Sequence, residues 1–184
     1  GADITLLSGA LTVNTPILAK SLNIAGGSIN LNGQSLTVDD LALAGNLDMA
    51  AAPLVANNSV SVSGGVLTVY NAVTPATLTL ANGGDVALAA AGSMSASSQY
   101  VVQNTTTALD MTGSAGMLVK AGTSVLTGTN SFTGKTRIEN SATLQVADAA
   151  TNLGDGYIEF ASNDWWNGPA TLQSSGTMNL KVGT

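Results

Sequence analysis

Histidine and cysteine are both missing from this 184-residue chain, and each absence removes a branch of chemistry. Without cysteine there is neither a disulfide framework nor a thiolate metal site. Without histidine, the serine-protease triad has no base. Basic residues are scarce: 5 against 11 acidic, a net charge of −6, and none between Lys20 and Lys120. A chain with no basic cluster has nothing to neutralise phosphates, which argues against nucleic acid and against anionic lipid as partners. Rings make up only 4% of the residues and charged groups 9%, so a core must be built from Leu, Val, Ile and Ala. No apolar run reaches the about 18 residues of a membrane helix. Gly1-Ala2-Asp3-Ile4 lacks the basic head and apolar stretch of a secretion signal.

What is present is a repeat. Ile4, Leu22, Leu41, Val60 and Leu78 follow one another along the chain at steps of 18, 19, 19 and 18. Each is followed two positions later by another apolar residue: Leu6, Ile24, Leu43, Val62 and Leu80. That alternation is a strand with one buried face. Turn residues come next in every unit, from Ser8-Gly9 to Asn82-Gly83-Gly84. A second set then appears (Leu11, Ile29, Leu47, Leu67, Val86), and a third (Leu18, Leu36, Leu54, Val73).

One coil of short strands cannot bury its own inward side chains or pair its own backbone. Coils stacked about 4.8 Å apart bond each strand to its equivalents above and below and pile like side chains inside. A β-sandwich also has many short strands, but nothing in it requires a fixed step. The expected fold is therefore all-β: a single-stranded right-handed parallel β-helix of 18–20 residues per coil. Its hand follows the crossover rule for parallel strands. Residues 1–184 form one domain of roughly nine or ten coils, about 45 Å long at that spacing. Within it, 1–93 are regular coils and 94–108 a looser insertion in which Tyr100-Val101-Val102 is strand-like. Residues 109–184 resume the repeat, with a turn-rich loop at 162–169.

Between Leu118 and Val146, apolar positions alternate with Gly122, Gly128, Gly134 and Asn140-Ser141 at intervals of about six. Lys120, Gly122, Leu126, Gly128, Asn130, Phe132, Gly134, Thr136, Leu144 and Val146 resemble the autotransporter-associated repeat of bacterial type V secreted passenger domains. The departures are a span slightly too short before Gly128, and Ala142 in place of a usual Gly. The resemblance covers the stretch from Leu118 to Val146 and continues into Leu153-Gly154-Asp155-Gly156 and Ala170-Thr171-Leu172-Gln173. It supports the right-handed solenoid and implies a passenger segment at the bacterial outer surface or secreted from it. The lack of cysteine suits a chain that crosses an oxidising periplasm unfolded. The unadorned ends, with no capping helix and no barrel strands, suit a portion of something longer.

Candidate sites are few. Asp39-Asp40 is the one adjacent acidic pair; it reads as a solvated corner, against a catalytic or calcium-binding role. Lys135, Arg137 and Glu139 alternate with Thr136 and Ile138 and so share an outward face, where cross-strand pairing competes with a lyase-type arginine. Asn82-Gly83-Gly84-Asp85 falls short of a calcium-binding nonapeptide. Asn57-x-Ser59 and Asn104-x-Thr106 match a glycosylation triplet. Trp165-Trp166, both tryptophans of the chain, can form a surface patch that stacks on sugars or packs on a partner, or can fold back over the core.

The expected function is a non-catalytic structural or adhesive stalk, with no cofactor and no metal. Its partners would be host or neighbouring-cell surface molecules or glycans, with self-association either head to tail through unpaired strand edges or lateral. A subunit of an extracellular filament, and a polysaccharide-active β-helix enzyme, are the alternatives.

Overall fold

The computed structural model describes residues 1–146, 153, 156–161 and 168–176, and every regular element among them is a β-strand. Nine strands stack into one sheet: Asp3–Leu6, Ile17–Ile24, Leu36–Leu43, Leu54–Ser63, Thr77–Ala81, Gln99–Gln103, Gly116–Val119, Thr136–Ile138 and Ile158–Phe160. They are rungs 1 to 9 below. Every neighbouring pair is parallel. The protein is a β-solenoid.

Ile4, Leu22, Leu41, Val60 and Leu78 are direct register partners, each on the next. The column continues through Tyr100, Met117, Thr136 and Ile158. Leu22, Leu41, Val60 and Leu78 are at most 1% exposed. Each such aliphatic side chain removes about 1.5–3 kcal/mol worth of apolar surface from water, and the stack repeats that gain along the rod. Leu6, Ile24, Leu43, Val62 and Leu80 form a parallel inner column two residues on.

A second wall consists of shorter ladders. Ala10–Thr12 pairs with Ser28–Asn30, placing Leu11 on Ile29. Leu47–Asp48, Val66–Val69 and Asp85–Leu88 follow, with Leu47, Leu67 and Val86 in line. Farther up, Thr106–Thr107, Gly122–Leu126, Ala142–Val146 and Thr171–Ser174 complete it.

The third set behaves differently from expectation. In rungs 2 to 4 it does not make a separate strand but runs straight into the next main-sheet strand, so that Ile17–Ile24 is a single strand of 8 residues. Between rungs 3 and 4 the register shifts once, Val38 lying on Ala56 but Asp40 on Ser59. Leu18 is not the inward member: Ile17 pairs with Leu36, and Leu36 with Leu54, whereas Leu18 opposes Thr37 and is 78% exposed. Val73 pairs with Met94 in a two-stranded ladder of its own.

Residues 94–108 carry rung 6, where Tyr100-Val101-Val102 forms the expected strand between Leu78-Thr79-Leu80 and Met117-Leu118-Val119. The coil leading to it has simply lengthened: Tyr100 stacks on Leu78 as Leu78 stacks on Val60, with more chain between. Among the described residues nine rungs span eight steps, about 38 Å at 4.8 Å per step.

Candidate functional site

Most of the resemblance motif lies inside the rod, with Lys120 and Gly122 exposed. Leu126, Phe132, Leu144 and Val146 are buried, and so are Asn130 and Thr136. The Asn130 Oδ1 accepts the Met111 backbone N–H at 2.8 Å, one coil away. At Gly128 and Gly134 successive coils approach too closely for a side chain. A Cβ on Gly128 would stand 2.5 Å from the Leu109 carbonyl oxygen, and one on Gly134 would press still harder on that of Ala115. Gly, Asn and the aromatic residue of the motif therefore set coil-to-coil spacing and filling. The Phe132 ring packs on Tyr100, with centroids 6.1 Å apart. The Tyr100 hydroxyl is deep in the wall, where it donates to the Thr112 carbonyl at 2.8 Å and accepts the Thr112 N–H at 3.1 Å. Burial pushes this phenol above its usual pKa.

Along the surface, and half-buried at Asp85, aspartates tie coils together. The Ser21 hydroxyl donates to Asp3 Oδ1 at 2.7 Å, and Ser59 to Asp40 Oδ1 at 2.6 Å. The Asn57 amide donates to Asp39 Oδ1 at 2.9 Å, the Thr129 N–H to Asp110 Oδ1 at 2.6 Å, and Thr107 to Asp85 Oδ1 at 2.5 Å. In each case the carboxylate lies in one coil and its neutral donor in the next. Asp39-Asp40 is thus a double clamp at the register shift between rungs 3 and 4, and Asp85 of Asn82-Gly83-Gly84-Asp85 is a single one.

Lys135 and Arg137 do pair across strands, as outward neighbours should. Both reach Glu159 on rung 9, Lys135 Nζ to Oε2 at 2.8 Å and Arg137 to Oε1 at 2.9 Å. The Glu159 hydrogen bond raises the Lys135 pKa, and the same bond lowers that of Glu159. Glu139 lines a shallow surface depression with Arg137, Asn140 and Ala161. A second, open groove runs over Val125, Gln145 and Gln173, where the Gln145 amide donates to Gln173 at 2.8 Å.

No protein-family model, curated protein or solved structure matches the chain. Among the described residues, no three or more carboxylates come together as metal ligands would. Asn57 and Asn104 are both exposed, and Asn104 sits at a positive-φ corner. Trp165 and Trp166 lie outside the described residues. What sequence reading missed was Glu159 as the shared acceptor, and the aspartate clamps. The signal for the clamps was available: the same near-constant step that links the leucines links Asp3 to Ser21, Asp39 to Asn57 and Asp40 to Ser59.

Proposed function

We propose that this chain is a non-catalytic structural or adhesive stalk segment of a secreted or surface-displayed bacterial protein. The observation that carries the reading is the use made of outward polar side chains. Asp3, Asp39, Asp40, Asp85 and Asp110 are each engaged by a donor from the following coil, which stiffens the rod instead of converging on a substrate. A parallel ladder bonded both inside and outside resists bending and holds whatever sits at its tip away from the surface. The resemblance between Lys120 and Val146 is what favours bacterial surface display, with host or neighbouring-cell molecules or glycans as the partners.

Two measurements test this. The purified chain is incubated with a panel of uronate polymers, with and without calcium; steady turnover of any of them would refute a non-catalytic role. Separately, the segment is displayed on a bacterial surface beneath a known binding tip. Removing whole coils should shorten the reach of the tip stepwise while leaving its affinity unchanged. Loss of tip binding to targets in free solution would argue against a passive stalk.

A further inference from the structure

The outward face of the nine-rung sheet is polar in a specific way along its length. One outward column, read through the register, is Asp3, Ser21, Asp40, Ser59, Thr77, Gln99 and Gly116. Lys135 continues it at the position before Thr136, its carbonyl accepting the Met117 N–H at 2.8 Å. The low-numbered end of this face thus carries two carboxylates, Asp3 and Asp40. Lys20 and Asp39 stand one position before the column and offset each other. The other end carries Lys120, Lys135 and Arg137 against Glu139 and Glu159, one positive charge in excess. Between the two ends, rungs 4 to 6 present uncharged Ser, Thr, Gln and Val.

We propose that two copies of this chain pair face to face over this sheet, antiparallel along the rod axis, about a two-fold through rung 5. That operation places rung n of one copy over rung 10 − n of its partner and keeps each column over itself. Lys135 then lies over Ser21 of the other copy, between Asp3 and Asp40, and the contact occurs twice. Each of these carboxylates accepts its intramolecular hydroxyl through Oδ1, and a carboxylate has lone pairs on its second oxygen for an outside donor. A parallel arrangement would set aspartates on aspartates and Lys135 on Lys135, which like-charge repulsion disfavours. The face is about 38 Å by about 17 Å, roughly 650 Å² per copy and about 1,300 Å² for the pair, at the lower end of specific interfaces. The self-complementary patch on each partner is what a closed two-fold contact requires. This inference does not depend on the stalk reading.

Sedimentation velocity of the chain should show a concentration-dependent dimer that dissociates as salt is added. Lys135→Glu, and separately the double change Asp3→Lys with Asp40→Lys, should each weaken it about tenfold or more. Mixing these two variants should restore association, because each then meets its complement at both contacts; this also excludes misfolding as the cause. The chain has no native thiol, so Thr79→Cys, which faces its own copy at the two-fold, should oxidise to a covalent dimer, and Thr5→Cys should not. A monomer at every concentration, failure of the mixture to associate, or preferential crosslinking through Thr5→Cys would overturn the proposal.

Discussion

The hydroxyl of Ser59 donates to the Asp40 carboxylate at 2.6 Å from the following coil. The two stand side by side in the main sheet as register partners, so this bond duplicates outside the wall what the backbone ladder does within it. Hydrogen bonds to charged groups contribute about 1.5–3 kcal/mol when sheltered and less when wet. Ser59→Ala should lower unfolding stability by about 1 kcal/mol, and Asp40→Ala with Ser59→Ala should cost less than the sum of the single changes. Urea unfolding of the four members of the cycle measures the coupling; strict additivity would show that the contact is not formed.

Leu41 lies between Leu22 and Val60 with 1% of its surface exposed. Leu41→Ala opens a void that both neighbouring coils line, and destabilisation of about 2–5 kcal/mol is expected. Leu18→Ala, at a side chain 78% exposed, should fall within about 0.5 kcal/mol of the unchanged chain. Chemical denaturation of the pair checks the inward–outward assignment directly.

Gly134→Ala drives a Cβ into the Ala115 carbonyl oxygen, closer than real Cβ atoms approach any neighbour. Backbone, unlike a flexible side-chain end, cannot yield cheaply there, and overpacking of this kind costs about 1–3 kcal/mol or more. Gly33→Ala meets nothing within 4 Å but must hold φ at +76°, a penalty of about 1–2 kcal/mol. Thermal melts should therefore rank Gly134→Ala as the more damaging change.

The Lys135–Glu159 pair predicts opposite pH limbs. The Glu159 pKa is lowered on folding, so its contribution is present above the unfolded carboxylate value and is lost as pH falls through the folded one. The Lys135 pKa is raised, so its contribution is present below the unfolded value and is lost as pH rises through the folded one. Glu159→Gln should flatten the melting temperature at both extremes relative to the unchanged chain. The effect will be small, because Lys135 and Arg137 are nearly half exposed. A variant whose pH profile keeps both slopes would show that other groups produce them.

The solenoid was legible because inward positions on equivalent strands must match in size and polarity, and that requirement prints a near-constant step on the sequence. The five residues from Ile4 to Leu78 needed no correction for this reason. The third set went astray at Ile17-Leu18, where two adjacent apolar residues leave the inward one undecided by pattern alone. Buried Ala19, two positions after Ile17, fixes the inward face, as Leu36 and Val38 do one coil on. Rung 6 was legible as the strand Tyr100-Val101-Val102, but not how a ring fits an aliphatic column: Tyr100 packs on Phe132 and bonds to the Thr112 backbone. The pairing of Lys135 and Arg137 was foreseeable from alternation, but not Glu159 as the shared acceptor. It lies 24 residues beyond Lys135, past a coil longer than the early period.

Within the main sheet, the stretch of chain between stacked partners is shortest from Tyr100 to Met117 and longest from Leu78 to Tyr100 and from Thr136 to Ile158, with no break in the ladder. Assembly therefore responds to the order of strands and ignores the length of what joins them. Corners are sites where peptide can be added or removed without disturbing neighbouring windings. A scaffold of this type can be decorated at any height by grafting a foreign loop between two rungs.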